Sequence, residues 1–275
     1  MELHEKLETA ARWLRESNAI LITAGAGMGV DSGLPDFRGA DGFWRAYPAL
    51  QAEGMSFPDI ANGSLFLTRP ELAWGFYGHR LNLYRRVQPH AGFDILRRWG
   101  DGKEHGAFVF TSNVDGHFQK AGFAERRVLE CHGTIHALQC ARPCSEDVWP
   151  ADEFHPVVDE ARCLLISPIP KCPRCGGVAR PNILMFDDDA WLDYRIRIRR
   201  MRLNAWLMAN YPWIVVELGA GRAIPTVRDR SECDGPRIIR INTDDYAIDP
   251  GKGIGLPGRA LDVLKALDER LMISR

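Results

Sequence analysis

Along most of the chain, apolar residues come in short unbroken runs separated by polar turns. The run at Ala19–Thr23 is too short for a helix and leads into glycine, which predicts a buried strand. Ala107–Thr111 (AFVFT), Val128–His132 (VLECH), Tyr211–Glu217 (YPWIVVE) and Arg237–Ile241 (RIIRI) predict four more. Between them the period changes to that of helices. Leu3, Leu7, Ala10, Ala11 and Leu14 share one face of a helix over about Glu2–Ser17, and Gly258–Leu271 is amphipathic in the same way. Strands alternating with helices predict an α/β fold, a Rossmann-like parallel sheet with helices on both faces.

Two stretches break this rhythm. From Ala40 to about Arg86, Trp44, Phe57, Phe66, Phe76 and Tyr77 are scattered among Gly and Pro, with helical patterning from Pro70 onward. This predicts a helical module with a mobile front end. Further on, Cys140-x3-Cys144 and Cys172-x2-Cys175 flank a Pro-rich span without period. Two close thiol pairs, the second followed by Gly176-Gly177, suit a closed, structural tetrahedral zinc site. Four unmetallated cysteines would leave that span little to fold around. The expected division is a Rossmann-like domain over 1–39, 87–137 and 181–275, a helical module over 40–86 and a zinc-binding module over 138–180.

Charge and composition narrow the function. Net charge is −1 from 35 basic and 36 acidic residues; no basic block is present, so nucleic acid is not implied. No apolar run approaches the roughly 18 residues that span a bilayer. The N-terminal helix lacks the charged-then-apolar order of a signal peptide. Seven cysteines, four of them in close pairs, fit metal ligation in a reducing compartment rather than a disulfide frame. The expectation is a cytoplasmic protein, monomeric or weakly oligomeric.

The chemistry is concentrated after the strands. Gly25, Gly27 and Gly29 follow the first one at alternate positions, and glycine lets backbone N–H groups come close to a phosphate. Val30 stands where a GxGxxG would have its third glycine, so spacing alone leaves dinucleotide binding and a bare tight turn both open. The polar run Asp31–Gly39 comes next. Ser112-Asn113-Val114-Asp115-Gly116 follows the second strand, at the strand end where open α/β sheets place ligands; the same Asn and Asp could instead form a plain Asx turn. His132-Gly133 follows the third, where an imidazole of ordinary pKa near 6.5 could serve as a general base.

The stretch GAGMGVDSGLPDFRG resembles the first signature of the sirtuin family, the NAD-dependent protein lysine deacylases, written GAGxSxxSGIPDFRG. The resemblance recurs at SNVDG (family TQNVDG), at ECHG and at the cysteine pairs, and covers nearly the whole chain. It implies that NAD lies against Gly25, Ala26, Gly27, Asp36, Phe37, Arg38, Ser112, Asn113, Asp115, Gly219, Gly221 and Asn242. It implies that His132 deprotonates a ribose hydroxyl after the acyl oxygen has displaced nicotinamide, with Asn113 and Asp115 holding the ribose and nicotinamide amide. Free lysine, nicotinamide and O-acyl-ADP-ribose would result, from an acylated lysine protein or peptide. Cys131 beside His132 is not read as a nucleophile, because the family carries an aliphatic residue there; Cys163 and Cys233 read as spare thiols.

The chain departs from the family pattern at several points. Ser112 replaces Gln, His117-Phe118 replaces Leu-His, and the first cysteine pair is one residue longer. Gly219-Ala220-Gly221 replaces a Gly-Thr-Ser turn whose Ser touches the cofactor phosphate. RPNILMFDD replaces RPxVVxFGE, the segment that clamps substrate peptide as an added strand, with Leu184 and Phe186 on it. Asp187 adds a charge there. These changes support a rival, an NAD glycohydrolase or ADP-ribosyltransferase, and Ser112 alone hints at a non-enzymatic NAD-sensing module. Against them, Tyr77 and Arg80 match the Tyr-x-x-Arg of family members that remove succinyl or malonyl groups, in which the Arg pairs with the distal carboxylate. The plain reading of Arg80 is a solvated helix charge.

Overall fold

The computed structural model describes residues 2–35, 39–235 and 237–273. Helix α1 (Leu3–Glu16) leads into strand β1 (Ile20–Ala24). Five helices follow: α2 (Gly39–Ala46), α3 (Pro48–Ala52), α4 (Phe57–Ile60), α5 (Leu65–Thr68) and the long α6 (Pro70–Arg86). Then come α7 (Ala91–Asp101), β2 (Ala107–Thr111), α8 (His117–Lys120) and β3 (Val128–Glu130). Next are β4 (Gly133–Cys140), β5 (Val148–Pro150), β6 (Val158–Asp159), β7 (Leu164–Leu165) and β8 (Ala179–Ile183). The chain ends with α9 (Tyr194–Ala209), β9 (Ile214–Leu218), α10 (Thr226–Asp234), β10 (Ile238–Asn242), β11 (Gly253–Pro257) and α11 (Ala260–Ile273).

The main sheet is parallel, in the order β11-β10-β9-β1-β2-β3. It winds outward from β1 through β2 to β3, then returns to the other side of β1 through β9, which is the doubly wound Rossmann order. Successive strand residues point to opposite faces. Accordingly Ile20, Ile22, Val109 and Val216 pack under α1, α7 and α11, while Leu21, Phe108 and Val215 meet Leu203 and Trp206 of α9. Both faces are covered, which is why the strands read as unbroken apolar runs.

Strand limits shift from the sequence reading. The run from Tyr211 enters the sheet only at Ile214, since Pro212 has no N–H to give to a ladder. It ends one residue beyond Glu217, and the strand from Arg237 slides to Ile238–Asn242. The third strand stops at Glu130 rather than His132. Strand β11, GIGLP, is a sixth member with two glycines and a proline that carried no strand signal.

A second, antiparallel sheet, β5-β4-β8, holds the cysteine segment. Strand β4 begins immediately after His132 and ends on Cys140, so one strand joins the candidate base to the first thiol. Its core, with Ile135, Leu138 and Ile183, is shared with Trp74, Phe76 and Tyr77 of α6. No helix among the described residues is long and apolar enough to cross a membrane.

Candidate active site

The switch point of the main sheet lies between β1 and β9, and there the two glycine turns cross backbone on backbone. Gly25 N–H donates to Leu218 O at 2.9 Å and Gly27 N–H to Gly219 O at 3.1 Å. A Cβ on Gly25 would lie 2.8 Å from Gly219 O. One on Gly219, whose φ is +56°, would lie 2.5 Å from Gly27 Cα. The N–H groups of Met28 and Gly29 close 3₁₀ turns onto Gly25 O and Ala26 O. Gly25 and Gly219 are therefore required by the crossing of the turns, whatever they do toward a phosphate. Gly221 has open space where its Cβ would be.

Strands β2 and β3 bring the next residues to the same rim. Thr111 pairs with Glu130, so Asn113 and His132, each two residues further on, emerge from neighbouring strand ends. Asn113 Nδ2 donates to Gly25 O at 3.0 Å, tying this end to the glycine crossing. Asp115 is buried, and its Oδ1 accepts His117 N–H at 2.8 Å, the Asx turn that starts α8. Ser112 N–H donates to Ala24 O. Asn242 braces the turn: Nδ2 donates one hydrogen to Ala220 O at 2.9 Å, and Oδ1 accepts the N–H groups of Asp244 and Asp245. It shapes the turn beside Gly219–Gly221. Asp36, Phe37 and Arg38 lie outside the described residues.

His132 is half-buried, and its backbone carbonyl accepts Leu184 N–H at 2.9 Å. Burial lowers its imidazole pKa below the ordinary value of 6.5, so the ring is neutral at neutral pH. Cys131 is buried and its thiol is pushed up to about 12, which keeps it protonated and unreactive.

Three groups around these residues carried no sequence signal. His136, on β4, donates Nε2–H to the Asp115 carbonyl at 2.9 Å and stands against Gly116. Glu130, buried one strand pair behind the rim, meets Arg199 at 3.2 Å; burial raises its pKa to about 7. Tyr84 receives both Nε–H and Nη2–H of Arg80, at 3.0 and 2.7 Å.

Arg80 is not a solvated helix charge: it is 8% exposed, with its guanidinium 5.2, 5.7 and 5.4 Å from the rings of Phe76, Tyr77 and Tyr84. Tyr77 is buried against Phe66 and Phe76.

The 184–188 segment is anchored at both ends. Leu184 is exposed, while Phe186 packs edge-on against Phe57 of α4 and its N–H donates to Ala61 O. Asp188 is buried in an ion pair with Arg180 and adds no charge to the outer edge; exposed Asp187, at φ +50°, does.

The four cysteine Sγ atoms lie within 4.8 Å of one another, with Cys140–Cys175 at 3.7 Å and Cys144–Cys172 at 3.6 Å. Zinc–sulfur bonds of about 2.3 Å in a tetrahedron separate sulfurs by about 3.8 Å, so the set fits zinc. Gly176 N–H donates to Cys172 O and Gly177 N–H to Cys175 Sγ, forming the second knuckle.

A family model described as the Sir2 family matches residues 25–202. The chain is 27% identical over 271 residues to NAD-dependent protein deacylase 2 of Pseudomonas aeruginosa, covering 96% of each. It is 30% identical over 260 residues to an NAD-dependent protein deacylase of Pyrococcus abyssi, covering 92% of this chain and 93% of that one. A solved complex of a Sir2 homologue with NAD superposes with a TM-score of 0.69 at 25% identity, covering 97% of this chain and 94% of the other.

Proposed function

The chain belongs to the Sir2 family, and from that premise we propose that it removes acyl groups from protein lysine, with NAD consumed in the reaction. The observation that carries this is His132: a neutral, half-buried imidazole just past the end of β3, beside the strand end of β2 that delivers Asn113 and Asp115, on the rim that holds the sheet's switch point. When bound, NAD would supply a glycosidic bond whose nicotinamide leaves as the acyl oxygen bonds to the anomeric carbon. His132 would accept a proton from a ribose hydroxyl at an imidazole nitrogen, which burial keeps unprotonated at neutral pH. Asn113 and Asp115 hold the sugar and nicotinamide end, and the crossed turns at Gly25–Gly27 and Gly219–Gly221 form the wall beside the phosphates. Leu184 and the segment behind it receive the peptide. Zinc holds the cysteine knuckles and takes no part in the chemistry.

Arg80 further supports an acidic acyl group, succinyl or malonyl, since its guanidinium is buried beside Tyr77, the pairing that the Tyr-x-x-Arg pattern implies. Cysteines in metal-binding pairs support a reducing, cytoplasmic setting, and a net charge of −1 without a basic block supports a function away from nucleic acid.

Mass spectrometry of a reaction with NAD and a mixture of acetyl-, succinyl- and unmodified lysine peptides tests this reading. O-acyl-ADP-ribose formed with an acylated peptide is the expected product and names the acyl class. Nicotinamide and free ADP-ribose released equally with every peptide would assign the chain to NAD hydrolysis instead.

A further inference from the structure

Helix α9 has two working faces. Ile196, Leu203, Trp206 and Leu207 are buried against the sheet. On the opposite side, Tyr194, Ile198, Met201, Ala205 and Met208 follow one another at intervals of four, three, four and three residues, the heptad spacing of a coiled-coil seam. The seam is open to solvent: Tyr194 is 52% exposed, Met201 65% and Met208 86%, Ala205 is exposed, and only Ile198 is half-buried. It runs for about 21 Å at the helical rise. The positions flanking it carry Arg195, Arg197 and Arg202, and α9 has five arginines and neither Asp nor Glu.

We propose that this outer face of α9 docks an amphipathic helix of a partner protein that carries acidic residues beside its own apolar seam. Flanking charges choose the partner of a heptad seam, and three arginines choose carboxylates. A second copy of α9 would set arginine against arginine, which excludes self-pairing through this face. Arg195 now stands 3.6 Å from Glu125 and Arg197 3.2 Å from Asp193, in exposed pairs. Such pairs contribute little, so a partner's carboxylates can replace them. The apolar ridge is one side chain wide with those two carboxylates next to it, a shape that suits a helix better than an anionic lipid surface.

The test uses the full chain and a labelled peptide of about four heptads with Leu at both seam positions and Glu at the flanking ones, beside a twin with Lys there. Fluorescence anisotropy should show binding of the Glu peptide and not of the Lys peptide, with hydrogen-exchange protection over 194–208. Met201→Glu should weaken binding by roughly tenfold or more, and the triple reversal R195E/R197E/R202E should switch preference to the Lys peptide. NAD-dependent turnover should be unchanged in both variants. Equal binding of the two peptides, no binding of either, or binding that survives Met201→Glu would overturn the proposal. So would binding to phosphatidylglycerol vesicles without peptide binding, which would give this face to a membrane.

Discussion

Arg180 and Asp188 face one another inside the protein, their side chains 0% and 1% exposed, joined by a fork of two N–H···O bonds. Arg180 also donates to Ile183 O, and Asp188 accepts Met185 N–H, so the pair fixes the bend of the 184–188 segment. A buried pair that loses one partner leaves an uncompensated charge, at a cost of about 3–5 kcal/mol. Asp188→Asn should therefore lower the midpoint of thermal unfolding and raise the KM for acylated peptide. An unchanged midpoint and KM would show that the bend is held by other contacts.

His132→Ala should abolish formation of O-acyl-ADP-ribose and deacylated peptide from NAD and acylated peptide, while zinc content stays near that of the parent. Because burial lowers the pKa of His132 below its ordinary 6.5, the imidazole remains a base in mildly acidic solution. The pH profile of kcat/KM should stay level from about pH 8 to about 6.5 and fall only below that. A decline centred above 6.5 would remove His132 as the titrating base.

The open space at Gly221 lets a side chain in without moving the backbone. Gly221→Ser should fold normally and lower the KM for NAD by supplying a hydroxyl beside the crossed turns. Gly219→Ala provides the contrast, since its Cβ would strike Gly27; thermal unfolding should show it strongly destabilised. A rise in the KM for NAD on Gly221→Ser would place the phosphates elsewhere.

Arg80→Met should reduce turnover of succinyl-lysine peptide far more than that of acetyl-lysine peptide. Tyr84→Phe removes the oxygen on which two Arg80 donors converge and should reduce the succinyl reaction in the same direction, through KM. Equal losses on both substrates would remove Arg80 from acyl selection.

Burial lowers the pKa of five histidines: His79, His90, His117, His132 and His136. On acidification the unfolded chain takes up protons at these side chains first, near pH 6.5, so stability falls as pH drops through and below that value. Glu130 acts in the opposite sense. Its folded pKa of about 7 against 4.5 unfolded means that its contribution is complete below 4.5 and is lost as pH rises toward 7. Five groups against one predict a lower unfolding midpoint at pH 5.5 than at 7.0 by calorimetry. Zinc content is followed in the same samples, because thiolate protonation would add to the loss. Equal midpoints with zinc retained would contradict the prediction.

Much of the architecture was legible because it rests on local rules. A run such as AFVFT has too few residues for a helix and too many apolar ones for a surface, so it becomes a strand buried on both faces. Cysteines three or four residues apart bring their thiols together on a tight turn, and the four sulfurs cluster as that spacing predicts. Strand ends were less legible where a proline or a charged residue interrupts the pattern, as at Pro212 and Glu217. Strand β11 was invisible because its glycines pack against backbone: a Cβ on Gly255 would lie 2.1 Å from Tyr246 O.

What the residues determined alone was the set of chemical groups and the order in which strands deliver them: His132, Asn113 and Asp115 after strands, glycines at turns, thiols in pairs. Pairing across the chain was decided only by tertiary structure. Glu217 reads as the end of an apolar run, yet it is buried within β9 and held by Arg240, itself held by Glu232. Arg80 has Phe76, Tyr77 and Tyr84 within about a turn of it on α6, yet it reads as a surface charge until that helix face is buried in the fold. A charged side chain has no sequence periodicity that reports its partner. Whether it is solvated or buried depends on which opposite charge, ring or carbonyl arrives from residues far along the chain.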